Sequence, residues 1–170
     1  MTWLFGMQGE DGKRLSRPLL RRAAALAWGW RALPERARSG RGKPYFRHWP
    51  EKWFSLSHSG GLTLCALSDD GPVGVDVEVE RPRRPGLMAY ALSPAEQAAC
   101  RGDWGEFYRL WTLKESWCKR EDSPLYPPRE VVTPPPCPHR SYTGPGWRGA
   151  VCCSGTPPED VLWMEPEETP

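Results

Sequence analysis

The feature that most limits how this chain can fold is Val73-Gly74-Val75-Asp76-Val77-Glu78-Val79-Glu80. Valine fills every second position, and acids fill three of the places between. A β-strand sends successive side chains to opposite faces, so the valines share one face and Asp76, Glu78 and Glu80 share the other. The valine face needs an apolar layer against it. The acidic face needs a cation, because three carboxylates side by side repel one another.

The neighbouring segments supply further elements. Leu62, Leu64 and Ala66 alternate with Thr63, Cys65 and Leu67, which predicts a strand. The turn signal Ser68-Asp69-Asp70-Gly71 then predicts a hairpin joining it to the valine strand. Upstream, Leu19, Leu20, Ala23, Ala24, Ala27 and Trp30 recur at helical spacing, which predicts a helix over 15–31 with Pro18 in its first turn. Downstream, Ser93-Pro94-Ala95-Glu96 has the form of a capping box, and Asp103 with Glu106 repeats that logic for a helix over 104–120. The proline-rich segment 121–146 reads as a long loop, and Trp147–Cys153 and Asp160–Met164 as two closing strands. At 170 residues the chain suits one domain or two small half-domains sharing a core, and ten Trp provide ample apolar area for it.

The helix over 104–120 carries the second set of charges. On a helical wheel Phe107, Leu110, Trp111, Trp117 and Cys118 form its apolar face. Glu115 and Lys119 stand one turn apart on the flank, and Lys114 falls inside the apolar arc. Glu115 and Lys119 fit an ordinary surface pair, and Lys114 fits a packed stem whose amine reaches water. The alternative is that all three line a cleft.

Charge and cysteine usage narrow the function classes. The formal net charge is only +2, but residues 13–52 are rich in Arg and Lys, which fits an anionic partner and equally a solvated Arg-rich surface. Nucleic acid is disfavoured, because that stretch has few interleaved aromatics and no known binding motif. The six cysteines form no C-x-x-C pair, and Cys152 and Cys153 are adjacent, which suits neither a disulfide ladder nor zinc. Cys137 and His139 lack a second ligand pair. Free thiols fit a reducing cytosol, so the expected location is cytoplasmic. No segment has the pattern of a signal peptide or the length of a membrane span.

Asp76 and Glu78 from a strand and Glu115 from a helix make three oxygen ligands with no His or Cys pair nearby. That set favours a hard cation such as Mg²⁺. A basic helix, a Gly-Lys-Pro loop and a Ser-His-Ser-Gly segment complete an inventory suited to phosphoryl transfer.

Four stretches then resemble one family, the 4′-phosphopantetheinyl transferases, in its larger single-chain class typified by the surfactin synthetase-activating enzyme. They are Gly42-Lys43-Pro44-Tyr45-Phe46, Phe54-Ser55-Leu56-Ser57-His58-Ser59-Gly60, Gly74-Val75-Asp76-Val77-Glu78 and Trp111-Thr112-Leu113-Lys114-Glu115-Ser116-Trp117-Cys118-Lys119. They are similar to the family's G-K-P, F-N-L-S-H-S, G-[IV]-D-[IVL]-E and W-[ST]-x-K-E-[AS]-x-x-K motifs, in the same order. Two departures stand out. The stretch before Gly42 is short for the class, and Arg120–Leu125 replaces the family's glycine-containing turn.

The resemblance implies an α+β fold of two similar halves related by a pseudo-twofold axis, with the first half trimmed. Residues 1–70 would form the N-terminal half and 71–170 the C-terminal half, with coenzyme A in the cleft between them. It implies transfer of the phosphopantetheine arm of coenzyme A to a serine of an apo acyl or peptidyl carrier protein, releasing 3′,5′-ADP. By resemblance Asp76, Glu78 and Glu115 hold Mg²⁺, and Glu115 also serves as base. Lys119 meets the pyrophosphate, with Lys114 in the same cleft. Ser57, His58 and Ser59 hold the 3′-phosphate, with Arg17 or Arg21 as a further candidate, and Lys43 and Pro44 border the adenine. The expected form is a monomer that binds neither nucleic acid nor membrane. The rival reading is a non-catalytic module that binds carrier protein or coenzyme A.

Overall fold

The computed structural model describes residues 1–84, 86–125 and 127–167, and its fold is mixed α/β. The first strand, β1 (Thr2–Gln8), leads into helix α1 (Gly12–Trp28). Two short strands, β2 (Arg36–Arg38) and β3 (Pro44–Phe46), pair with each other and carry the Gly-Lys-Pro loop. Then come β4 (Trp53–Ser59), β5 (Leu62–Ser68) and β6 (Gly74–Val79). Helices α2 (Gly86–Ala91), α3 (Pro94–Cys100) and α4 (Trp104–Glu121) follow. Three strands, β7 (His139–Gly144), β8 (Trp147–Cys152) and β9 (Leu162–Met164), close the chain.

The strands form two main sheets, ordered β4-β5-β1-β9 and β6-β8-β7. Helix α1 covers one face of the first sheet, where Leu19, Leu20 and Ala23 meet Phe5, Met7, Phe54 and Leu67. The opposite face brings Leu4, Leu62, Leu64 and Ala66 against Val73, Val75 and Val77. The valine face of β6 therefore has the apolar layer that its alternation requires. The other face of β6 lies under α4. There the helix backbone comes so close that a Cβ on Gly74 would sit 2.0 Å from the Ser116 carbonyl oxygen, so only glycine fits.

Several sequence expectations change at this level. Helix α1 begins at Gly12, capped by the Asp11 side chain on the Lys13 N–H, so Pro18 lies in the second turn and not the first. Pro18 therefore leaves one backbone bond of the helix unmade, and α1 continues past it with Leu19 and Leu20 buried against the sheet. The predicted hairpin of β5 with β6 does not form. Strand β5 pairs with β1 and β4, and β6 crosses to the second sheet to pair with β8. The hairpin partner of β5 is β4, through a turn in which Gly60 takes a left-handed φ of 56°. The loop expected over 121–146 ends early, because His139–Gly144 forms β7. The last strand, β9, returns to the first sheet and pairs with β1 in parallel.

The helix caps follow the sequence. The Ser93 hydroxyl accepts from the Glu96 N–H at 3.3 Å while the Glu96 carboxylate accepts from the Ser93 N–H at 2.7 Å. Asp103 accepts from the Glu106 N–H at 3.0 Å and starts α4. Helix α4 ends at Asp122, whose φ of 51° supplies the left-handed turn that glycine usually provides.

Candidate active site

Strand β4, at the edge of the first sheet, lies beside β6, at the edge of the second. The two strands are joined through side chains. The hydroxyls of Ser55, Ser57 and Ser59 accept from the backbone N–H groups of Val75, Val77 and Val79 at 3.1, 3.2 and 3.1 Å. Small polar residues at every second position of β4 thus satisfy donors on β6 that would otherwise be buried and unpaired.

The same face presents the acids. Asp76 is 4% exposed. Its Oδ1 accepts from the Ser57 hydroxyl at 2.8 Å and from the Lys119 ammonium at 2.7 Å, while its Oδ2 is buried with no partner. Glu78 accepts from the Ser59 hydroxyl at 2.8 Å. Lys119 comes from α4 and also donates to Ser57 Oγ at 3.1 Å. Glu115, one turn earlier, stands on the same flank of the helix.

The electrostatics follow from this crowding. Burial, reinforced by the charges of Asp76 and Glu78 and opposed by Lys119, pushes the Glu115 carboxyl up to about 7. Burial and the Asp76 charge also raise Glu78 above the ordinary carboxylate range. Among the described residues no three acid, His or Cys side chains are already gathered into a metal-binding cluster. The donor set nonetheless suits a hard cation. Asp76 Oδ2 lacks a partner, and both glutamates carry repulsion that a divalent ion would relieve.

A cleft of about 550 Å³ opens beside this group, with Glu115 and Lys119 on one wall and Lys43, Pro44 and Leu56 on another. Asp76 lies one hydrogen bond further in, through Lys119. Lys43 is not free to swing. Its ammonium donates to the Val73 and Arg120 carbonyls at 3.3 and 3.0 Å, and burial lowers its pKa to about 8. Arg41 donates to the Asp122 carbonyl at 3.1 Å, so the Gly-Lys-Pro loop is fastened to the end of α4 at two points.

The remaining predicted residues divide. His58 is exposed and alternates onto the α1 face of β4 with Phe54 and Leu56. It sits near the start of α1, where the Gly12 N–H bonds the Gly60 carbonyl at 2.9 Å. Arg17 and Arg21 are exposed on α1, and Arg21 pairs with Glu167 at 2.6 Å. Lys114, expected in the cleft, is not there. Its ammonium is fully buried and donates to Glu96 at 2.8 Å, to the Pro128 carbonyl at 3.0 Å and to the Ala91 carbonyl at 3.2 Å. Its place in the apolar arc of α4 points it away from Glu115, toward α3 and the proline-rich segment. Glu80, the third acid of the strand, pairs with Arg148 outside the site. Ser55 was not singled out from the sequence, although the Ser55-Ser57-Ser59 alternation was visible there.

The model of a family described as the 4′-phosphopantetheinyl transferase superfamily matches residues 72–142. Curated relatives agree with it. The 4′-phosphopantetheinyl transferase Sfp of Bacillus subtilis is 31% identical over 150 residues, covering 75% of this chain and 66% of the relative. The 4′-phosphopantetheinyl transferase AcpT of Escherichia coli O157:H7 is 38% identical over 120 residues, 66% of this chain and 61% of the relative. AcpT of Salmonella typhi is 40% identical over 95 residues, 52% of this chain and 50% of the relative. The chain thus spans between half and two thirds of the length of these relatives.

Proposed function

The chain belongs to the 4′-phosphopantetheinyl transferase superfamily, and from that premise we propose that it transfers the phosphopantetheine arm of coenzyme A to a serine hydroxyl of an apo acyl or peptidyl carrier protein, releasing 3′,5′-ADP. One observation carries the reading. Glu115 and Lys119 of α4 line a cleft of about 550 Å³, Lys119 pairs with the buried Asp76 of β6, whose second carboxylate oxygen has no partner, and Glu115 feels the charges of Asp76 and Glu78.

Asp76, Glu78 and Glu115 would hold Mg²⁺, which when bound offsets the charge of the pyrophosphate. Glu115 would also accept the carrier serine's proton; burial and the Asp76 charge push its carboxyl up to about 7 in the metal-free protein, and a bound cation would lower it. An ammonium has three donors, and Lys119 spends two on Asp76 and Ser57, leaving one for a phosphate oxygen. His58, exposed near the basic start of α1, would take the 3′-phosphate. Lys43 and Pro44 would border the adenine from a loop already fastened in place.

In this reading the two sheets, one carrying α1 and the other α4, are the two halves of the family fold, related by a pseudo-twofold axis with the first half trimmed. The protein works as a cytoplasmic monomer. Among the described residues no helix is long and apolar enough to cross a membrane. The test is intact-mass analysis of a panel of apo carriers incubated with the protein, coenzyme A and Mg²⁺. Gain of one phosphopantetheine group by any of them supports transfer. Unchanged masses across the panel favour the non-catalytic carrier- or coenzyme-A-binding module.

A further inference from the structure

We infer that the serine row of β4 is a positioning device for the acids of β6, and that Ser57 and Ser59 set the geometry of a divalent cation site and do not grip phosphate. The inference rests on the reading of Asp76, Glu78 and Glu115 as cation ligands. It assigns Ser57 and Ser59 a role different from the one that family resemblance implies.

The hydrogen-bond inventory carries it. A hydroxyl has one donor and two acceptor sites. Ser57 uses all three: it accepts from the Val77 N–H and from Lys119, and donates to Asp76. No capacity remains for a phosphate oxygen, and the residue is buried. Ser59 repeats the pattern one step along, accepting from the Val79 N–H and donating to Glu78. Each serine therefore locks one carboxylate to a fixed point on the β6 backbone. With Asp76 Oδ1 held by Ser57 and Lys119, the unpartnered Oδ2 is the oxygen left for a cation. Groups that orient metal ligands in this way contribute strongly to affinity without touching the metal.

Ser55 is the internal control. It accepts from the Val75 N–H at 3.1 Å, like the other two, but bonds no carboxylate. A row that only fastened two strands together would make Ser55 equivalent to Ser57 and Ser59. A positioning device makes it different.

The experiment measures Mn²⁺ binding by calorimetry, coenzyme A binding without metal, and amide exchange at Val75, Val77 and Val79. It uses the full chain and its Ser55→Ala, Ser57→Ala and Ser59→Ala variants. Ser57→Ala and Ser59→Ala are expected to weaken Mn²⁺ binding by about 10-fold or more while leaving coenzyme A affinity nearly unchanged. Ser55→Ala is expected to speed exchange at Val75 and leave Mn²⁺ binding intact. Ser59 lies half-buried at the strand end, so it provides the readout should Ser57→Ala fold poorly.

Weaker coenzyme A binding with unchanged Mn²⁺ binding in Ser57→Ala overturns the inference in favour of a phosphate grip. Equal loss of Mn²⁺ binding in Ser55→Ala overturns it in favour of a purely structural row. A wild-type chain that binds no Mn²⁺ overturns it as well. If the metal defect appears as expected while the wild type modifies no carrier, the inference stands and the transfer reading fails.

Discussion

Replacing Lys114 by Met keeps the length and much of the volume of the side chain but removes its ammonium. In the native protein that ammonium is fully buried and ties three segments together: Glu96 on α3, the Ala91 carbonyl at the end of α2, and the Pro128 carbonyl in the proline-rich segment. Breaking a buried ion pair by removing one partner costs about 3–5 kcal/mol, because the other partner is left charged. Glu96 retains the Ser93 N–H and the Thr133 hydroxyl, which places Lys114→Met near the lower end, at about 3 kcal/mol. For a chain of this size that corresponds to a fall in Tm of roughly 6–12 °C. Thermal unfolding followed by circular dichroism measures it, alongside carrier modification at a temperature where the variant is folded. The expected result is a large loss of stability with turnover of the same order as wild type. Adding Glu96→Gln, which removes the stranded charge but can still cap α3, should restore part of the loss. A Lys114→Met protein as stable as the wild type yet without turnover would refute the reasoning and return Lys114 to the cleft.

Three further outcomes follow from the same geometry. A carboxyl whose folded-state pKa lies above its unfolded value favours the fold while protonated, and that contribution is lost as pH rises through the folded value. Glu115, held at about 7, should therefore make the metal-free protein melt lower at pH 8 than at pH 5, and Glu115→Gln should flatten that part of the slope in a pH series of melts. Asp122 holds a left-handed φ of 51°, so Asp122→Gly should be neutral or stabilising by up to about 1 kcal/mol in urea unfolding. Of the six free thiols, Cys137 is the one not fully buried, so brief maleimide labelling of the native protein followed by peptide mapping should modify Cys137 first.

The elements legible in the sequence were those whose information is local. The capping box at Ser93, the N-cap at Asp103 and the alternation of β6 each lie within a few residues of sequence, and each is present. Strand β1 was missed because it lies inside a sheet, with neighbours on both edges. Leu4, Phe5 and Met7 are buried without a polar residue between Trp3 and Met7, which leaves no period-two signal. The β5–β6 hairpin was misread because a turn signal fixes where the chain bends and not which strand it then joins. Strand β6 pairs with β8, far downstream, and its other edge bonds the serine side chains of β4, about 20 residues upstream. Lys114 shows the same limit. The helical wheel placed it correctly among apolar residues, but its partner Glu96 belongs to another helix. In the site, Lys119 pairs with Asp76 and the serines face the acids, contacts between distant segments that no single motif spells out.

The central claim is that the carboxylates of β6 and α4 carry phosphopantetheine transfer. Its most direct test is the intact mass of an apo carrier after incubation with coenzyme A and either Mg²⁺ or a chelator, using the wild type, Asp76→Asn and Glu115→Gln in parallel. A phosphopantetheine mass shift only with the wild type and Mg²⁺, from variants that remain folded, is the predicted result. A shift at the wild-type rate with either variant, or in the presence of chelator, would contradict the account.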